Sequence, residues 1–220
     1  MISSKYKCLF VHIPKTAGQS IEHYFLKLHG LSWEERAPLL LRYNPDPAKG
    51  PERLAHLTAR EYVDYGYISS SQFADYFSFS FVRNPWARLV SEYRYRGHEG
   101  KYSFKEFVSA GFSKKSNYSD EYRHLMPQYE FLYDKNGKLL IDFVGKFESI
   151  QSDFDAVCLK MGIERAILPH INSSARGIIG NNDKLGADKL YTSYFDKELE
   201  EFVADIYAKD IRTFNYVFGS

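Results

Sequence analysis

A short apolar segment, followed at once by a polar loop and an amphipathic helix, most constrains how this chain can fold. The apolar segment is Lys7 to Ile13 (KCLFVHI), which predicts a buried strand. Pro14 to Ser20 (PKTAGQS) predicts a loop. Apolar side chains then recur at helical spacing until Gly30: Ala17, Ile21, Phe25 and Leu28. A strand, a tight loop and a helix in this order open many α/β nucleotide-binding folds.

The rest of the chain continues to alternate between strands and helices. Strands are predicted at Tyr76 to Val82 and Leu139 to Phe147, with a short strand end at Leu54 to His56. Helices are predicted to follow caps at Thr58, Asn84 (with Pro85 next) and Asp196, and to present Phe154, Val157 and Met161 as one stripe. The helix after Asp196 is predicted to bury Leu199, Phe202, Val203, Ile206 and Tyr207. We therefore expect a single α/β domain over residues 1–220, with a mostly parallel central sheet flanked by helices.

The segment from Gly97 to Arg123 is polar and aromatic and departs from this alternation. One short helix is predicted near Phe104 to Val108. We interpret the segment as a substrate-facing excursion.

Composition limits the partners and the compartment. The net charge is +1, so we expect no nucleic-acid partner, and an anion site must be local. No apolar stretch has the length of a membrane span, and the first residues lack the apolar stretch of a signal peptide. Cys8 and Cys158 lie in apolar segments and are predicted to be buried thiols. We expect a cytoplasmic protein without a membrane partner; the oligomeric state stays open.

The stretch His12 to Ser20 (HIPKTAGQS) is a candidate anion site. A loop that enters a helix presents unpaired backbone N–H groups, and the helix dipole favours a negative charge there. Gly18 lets the backbone approach an oxygen closely, and Lys15 adds a cation. Further side-chain donors are Thr16, Gln19 and Ser20. An ordinary turn between a strand and a helix stays a possible interpretation. The stretch is not a Walker A loop, because Lys15 precedes the glycine.

A second candidate anchor lies in Arg83 to Tyr93 (RNPWARLVSEY). Arg83 ends a predicted central strand, and ligands of open parallel sheets bind at that edge. Ser91 lies off the apolar face of the following helix, so its hydroxyl is available to a ligand. That face is formed by Trp86, Leu89, Val90 and Tyr93. The alternative is a salt bridge for Arg83 and a solvated Ser91.

Taken together, the two stretches resemble motifs of the carbohydrate sulfotransferases. HIPKTAGQS resembles the loop that binds the 5′-phosphosulfate, and FVRNPWARLVSEY resembles the 3′-phosphate motif. Two weaker similarities are IDFVGKFESI, from Ile141 to Ile150, and HINSSAR, from His170 to Arg176. The family includes heparan, chondroitin and dermatan sulfate O-sulfotransferases and bacterial relatives.

The resemblance implies a P-loop-like sulfotransferase fold and a function. The co-substrate would be 3′-phosphoadenosine 5′-phosphosulfate (PAPS), and the acceptor a hydroxyl on a carbohydrate or another partner. The 5′-phosphosulfate would be held by Lys15, Thr16, Ala17, Gly18, Gln19 and Ser20. The 3′-phosphate would be held by Arg83 and Ser91, and the pocket completed by Asn172, Ser174 and Arg176. Lys15 would also be catalytic, and His56, in AHLTAREY, matches the catalytic base of the heparan-type members. The membrane anchor and stem of the eukaryotic enzymes are missing here, which favours a bacterial cytoplasmic enzyme.

Acceptor-side residues are harder to assign. A neutral imidazole suits proton abstraction near pH 7, and the chain has seven histidines. His56 is the first candidate and His124 the second. Arg123, His124 and Gln128 either line a sugar groove or belong to a solvated insertion. No metal is expected, because a sulfuryl group carries less negative charge than a terminal phosphoryl group.

Two other functions stay open at this point. One is a nucleotide-dependent phosphotransferase, which would need Mg²⁺ and a Walker A loop. The other is a non-catalytic nucleotide- or glycan-binding protein of the same fold. Lys15, His56 and Arg83 together argue against the second alternative.

Overall fold

A four-stranded sheet lies at the centre of the computed structural model, which describes residues 1–98, 100–112, 116–169 and 190–220. Its strands, in spatial order, are β1 (Ile2–Ser3), β2 (Cys8–Val11), β3 (Phe77–Val82) and β4 (Phe143–Lys146). β2 and β4 both pair with β3 in parallel, and β1 pairs with β2 in the antiparallel sense. The predicted α/β architecture with a mostly parallel sheet is thereby confirmed, with β3 in a central position.

Helices cover both faces of this sheet. Within the described residues they are α1 (Gly18–His29), α2 (Glu61–Asp64), α3 (Ser70–Asp75), α4 (Pro85–Tyr95), α5 (Phe104–Gly111), α6 (Asp120–Leu125), α7 (Gln128–Leu132), α8 (Ile150–Met161), α9 (Lys197–Ile206) and α10 (Ala208–Phe214). Short 3₁₀ turns occupy Ala37–Leu39, Pro47–Lys49, Leu54–His56, Phe147–Ser149 and Leu190–Tyr194.

The alternation of side chains along β2 explains the two cores. Cys8 and Phe10 point to one face and join a cluster with residues of α1 and α8. Leu9 and Val11 point to the other face and join a cluster with residues of α4, α7, α9 and α10. All four side chains are buried, as expected for a parallel strand covered on both sides. Burial of each large apolar side chain contributes about 1.5–3 kcal/mol to stability.

Several predicted helix ends are found where the sequence placed them. The Asn84 side chain accepts hydrogen bonds from the backbone N–H groups of Trp86 (3.1 Å) and Ala87 (3.3 Å), and Pro85 opens α4. Asp196 caps α9 through the N–H of Leu199 at 2.8 Å. These caps satisfy N–H groups that have no partner inside the helix.

Four local predictions need correction. Leu54–His56 is a 3₁₀ turn and not a strand end, because the N–H of His56 bonds back to the carbonyl of Arg53. The third long strand is only Phe143–Lys146, the part that pairs with β3. Phe202 is 46% exposed, since it lies at the margin of the α9 stripe centred on Leu199 and Val203. A further helix, α10, follows the helix predicted after Asp196, where no helix was predicted.

The polar segment contains more helix than predicted. Besides α5, it includes the start of α6 at Asp120, capped by the Ser119 side chain, which accepts from the N–H of Tyr122 at 3.4 Å. Both cysteines are free and buried, as predicted. Among the described residues, no helix combines the length and apolarity needed to cross a membrane.

Candidate active site

The loop between β2 and α1 lies at the carboxyl edge of the sheet. β2 ends at Val11 and α1 begins at Gly18. Lys15 and Ala17 take left-handed backbone conformations, with φ of 69° and 64°, which turn the loop sharply. For residues other than glycine this conformation costs about 1–2 kcal/mol each, and such strain is concentrated at functional sites.

The N-terminus of α1 is open to an anion. No side chain within the described residues caps this helix, and its first turn contains no acidic residue. The Thr16 hydroxyl donates instead to the carbonyl of Ile13, at 2.8 Å. Backbone N–H groups and the positive end of the helix dipole therefore face the loop, as an anion site requires.

Gly18 is required by packing as well as by the loop. A Cβ atom at this position would lie 2.1 Å from Cδ2 of His12. The His12 ring is buried and packs directly on the start of α1. Glycine therefore lets His12 approach the loop Pro14 to Ser20 closely. We name this loop the phosphate loop after its predicted role.

The Lys15 side chain reaches over an aromatic ring. Its Nζ lies 3.8 Å from the ring centroid of Tyr95, a half-exposed residue of α4. Burial lowers the pKa of Lys15 to about 8, although the nearby Glu92 opposes this shift. Three guanidinium groups add to the lowering by repulsion: Arg83, Arg96 and Arg88. The end of the phosphate loop is thus a region of concentrated positive charge.

Arg83 joins the phosphate loop to β3. It follows the last residue of the strand, and its Nη1 donates to the carbonyl of Lys15 at 3.3 Å. The guanidinium carbon lies 4.0 Å from the ring centroid of Phe147. The Gln128 side chain holds the Arg83 backbone on both sides, accepting from its N–H and donating to its carbonyl, each at 2.8 Å. Gln128 is fully buried and does not line an acceptor groove.

Arg88, which no sequence motif indicated, joins the loop to the end of α6 and the residues that follow it. Its buried guanidinium donates to three backbone carbonyls: those of Pro14 (2.9 Å), Met126 (3.1 Å) and His124 (2.8 Å). The phosphate loop and the end of α6 are therefore fixed to one rigid group.

Three histidines stand in a row beside this loop, each paired with a carboxylate. Nδ1 of His12 lies 2.6 Å from Glu22, Nδ1 of His56 lies 2.9 Å from Asp120, and Nδ1 of His124 lies 2.6 Å from Glu92. The ring centroids are 5.0 Å apart from His12 to His56 and 5.1 Å apart from His56 to His124. All three imidazoles are buried. The Tyr95 ring stacks on His124 at 5.8 Å, so a chain of contacts joins Lys15 to His56.

Burial sets the protonation of His56 and His124. It lowers the pKa of His56 to about 3, against the effect of the Asp120 hydrogen bond, and it also lowers the pKa of His124. Burial alone would raise the pKa of Glu92, but His124 and Arg96 bring it down to about 2. Near neutral pH, His56 and His124 are therefore neutral bases beside ionised carboxylates.

One group of side chains here could hold a metal ion. His56, Asp120 and His124 each offer one ligand atom, and these atoms lie within 4.8 Å of one another. However, Arg53 (3.6 Å) and Arg96 (3.5 Å) both approach Oδ2 of Asp120. Because two guanidinium groups already face this carboxylate, a divalent cation would meet repulsion. We interpret the group as a hydrogen bond between His56 and Asp120, with Asp120 also ion-paired to the two guanidinium groups.

Comparison with known proteins places the chain in a family. The model of the sulfotransferase family matches residues 1–217. The chain belongs to the sulfotransferase family. It is also similar to an uncharacterized protein of Archaeoglobus fulgidus, with 34% identity over 111 residues, 49% of this chain and 86% of that protein. No solved structure gives a significant match.

Family membership means that this protein is a transferase of sulfuryl groups. Sulfotransferases generally take the group from PAPS and act on hydroxyl-bearing acceptors. The family match therefore confirms the resemblance noted from the motifs at the level of the family, and leaves the carbohydrate subtype as a prediction.

The remaining predicted residues of this sulfotransferase differ in their environment. Ser91 is nearly buried and makes no hydrogen bond with the described residues through its hydroxyl. Arg123 is buried in a two-pronged ion pair with Glu61, both N–O distances being 2.7 Å, and is not open to an acceptor. Asn172, Ser174 and Arg176 lie outside the described residues.

Sequence reasoning missed the carboxylates that pair with the three histidines. Glu22 and Glu92 lie on the buried faces of α1 and α4, where an ionised side chain needs a partner. An acidic residue on an otherwise apolar helix face was therefore the available signal. Asp120 offered no comparable signal, since it lies in a polar segment and meets His56 only in the fold.

Proposed function

We propose that this sulfotransferase is a single-domain enzyme that transfers the sulfuryl group of PAPS to a carbohydrate hydroxyl, with His56 as the base. The observation that carries the proposal is the placement of a neutral, buried His56 beside a phosphate loop that bears Lys15. The carbohydrate acceptor rests on the similarity of the two motifs to those of carbohydrate sulfotransferases.

The donor half of the proposed site is built for two anionic groups. The loop N–H groups, Lys15 and the side chains up to Ser20 suit a phosphosulfate. Arg83 lies next to this loop and, with Ser91, would hold the 3′-phosphate. Asn172, Ser174 and Arg176 stay in the proposal on the resemblance alone.

The acceptor half supplies a proton acceptor. The acceptor oxygen forms a bond to sulfur, the bond from sulfur to the nucleotide oxygen breaks, and the acceptor proton goes to His56. The electron pair of the broken bond stays on the nucleotide oxygen, where Lys15 and the loop N–H groups stabilise the negative charge. The low pKa of free His56 rises when an anionic donor is bound nearby, since a negative charge favours imidazolium.

The test is transfer from labelled PAPS to a panel of glycans and small alcohols. The wild-type protein is expected to label at least one glycan. His56→Ala should lower turnover by roughly 10²–10⁴-fold and leave nucleotide affinity nearly unchanged. His98→Ala is the matched control, because the ring contacts of His98 are with Tyr93, Tyr102 and Phe107. Wild-type turnover in folded His56→Ala would refute the base assignment.

A binding measurement tests the donor half separately. Adenosine 3′,5′-bisphosphate at 100 times its Kd should stabilise the protein by about 2.7 kcal/mol, a shift in Tm of roughly 5–10 °C. ADP at the same concentration should shift Tm less, because it has no 3′-phosphate for Arg83 and Ser91 to bind. Equal shifts would rule out the 3′-phosphate assignment.

A further inference from the structure

The imidazole of His56 is held from one side by a residue far away in the chain. Nδ1 lies 2.9 Å from Oδ1 of Asp120, 64 positions later, at the first residue of α6. His56 itself ends a 3₁₀ turn with little regular structure around it. The contact with Asp120 therefore supplies an orientation that the local backbone does not.

This contact selects one tautomer of the imidazole. An ionised carboxylate only accepts hydrogen bonds. Nδ1 of His56 therefore carries the proton and donates a hydrogen bond to Asp120. Nε2 is then left with a lone pair. Nε2 has no hydrogen-bond partner among the described residues, so it is available to a hydroxyl.

Asp120 is itself held by its surroundings. Its second oxygen, Oδ2, lies 3.5 Å from Arg96 and 3.6 Å from Arg53, both of which are cationic. Partial burial would raise the pKa of Asp120, but the hydrogen bond from His56 and the charge of Arg53 bring it below its usual range. The N–H of Asp120 donates to Glu52 at 3.2 Å. The carboxylate thus stays ionised and fixed in place.

Arg96 connects Asp120 to the next histidine pair. Its Nε donates to Glu92 at 2.6 Å, while its Nη2 faces Asp120. Glu92 in turn holds His124. One guanidinium therefore hydrogen-bonds to Glu92 and lies within ion-pair distance of Asp120, so the two pairs of histidine and carboxylate lie side by side.

We infer that Asp120 is the positioning residue of the catalytic base, fixing His56 in the tautomer whose Nε2 receives the acceptor proton. It also stabilises the imidazolium that forms when the proton arrives. This inference rests on the proposed role of His56. An alternative is that Asp120 only joins α6 to Arg53 and Arg96, in which case the His56 tautomer does not depend on it.

The first test is an NMR measurement that needs no substrate. In protein labelled with ¹⁵N-histidine, the His56 signals are identified by their loss in His56→Ala. In the wild type we expect a protonated Nδ1 and an unprotonated Nε2 at pH 7. Asp120→Asn should shift the population toward the tautomer protonated on Nε2, because its amide N–H can donate to Nδ1. A wild-type His56 protonated on Nε2 overturns the inference without any variant.

The second test separates positioning from stability. Asp120→Asn should lower kcat by roughly 10²–10⁴-fold, with the KM for PAPS nearly unchanged. Asp120→Glu, which keeps the charge, should recover part of the rate. Asp64→Asn is the matched control, since Asp64 pairs with Arg60 on an exposed helix surface at 3.0 Å. A changed tautomer with wild-type kcat, or an unchanged tautomer in folded Asp120→Asn, overturns the inference.

The two tests also distinguish this inference from the proposed function. If the wild type transfers no sulfuryl group from PAPS, the proposed function fails, while the NMR measurement still decides whether Asp120 fixes the tautomer. If transfer occurs and His56→Ala is inactive, the proposed function holds, and the NMR measurement together with the Asp120 variants decides whether Asp120 positions His56.

Discussion

The charge on Lys15 should limit activity at alkaline pH. Burial lowers the pKa of Lys15 to about 8, whereas an ordinary lysine titrates above pH 10. Raising the pH through 8 therefore removes the charge that is proposed to bind the phosphosulfate. At pH 9 only about one tenth of the free enzyme keeps this charge, so kcat/KM for PAPS should fall about tenfold per pH unit beyond the midpoint.

Two measurements assign this alkaline limb of the pH profile, the fall in kcat/KM above pH 8, to Lys15. Initial rates at low PAPS concentration, from pH 6 to pH 10, give kcat/KM and report the free enzyme. Rates at saturating PAPS give kcat, and there the limb should move to higher pH, because the bound anion raises the pKa of Lys15. The difference between the two profiles measures how strongly Lys15 interacts with the donor.

Lys15→Arg provides the decisive variant. A guanidinium stays protonated throughout this pH range, so the alkaline limb of kcat/KM should disappear even if the absolute rate is lower. Lys27→Arg, at the exposed end of α1, is the control and should keep the wild-type limb. A limb near pH 8 that persists in Lys15→Arg would refute the reasoning, as would a wild-type profile that stays flat up to pH 10.

Three further outcomes follow from the structure. Gly18→Ala places a Cβ 2.1 Å from the His12 ring and should destabilise the protein by about 1–3 kcal/mol in urea unfolding; an unchanged midpoint would contradict the packing described. Because the pKa of His56 falls from 6.5 to about 3 on folding, the unfolded chain binds more protons in this window. Stability should therefore decrease as the pH falls below 6.5, and less steeply in His56→Gln, as measured by urea unfolding at a series of pH values. Transfer from PAPS should survive excess EDTA, and loss of activity that Mg²⁺ restores would favour the phosphotransferase alternative.

The sequence by itself determined the parts that depend on local chemistry. The apolar run from Lys7 to Ile13 predicted β2, and the loop that follows it predicted the start of α1 near Gly18. Asn84 and Pro85 predicted the start of α4. Caps, turns and periodicity act over a few residues, so they can be read from the chain. The two motifs that predicted the sulfotransferase family are of this local kind, and the family match confirmed that prediction.

The tertiary structure decided which charged residues meet. Arg123 and Gln128 were predicted to line a sugar groove or to belong to a solvated insertion. In the fold, Gln128 holds the Arg83 backbone and Arg123 pairs with Glu61 in the interior. Asp120 reaches His56 across 64 positions of chain. Such contacts depend on how elements pack and not on local pattern. The sequence therefore predicted a histidine, His56, as the base, and only the fold placed the carboxylate of Asp120 beside it.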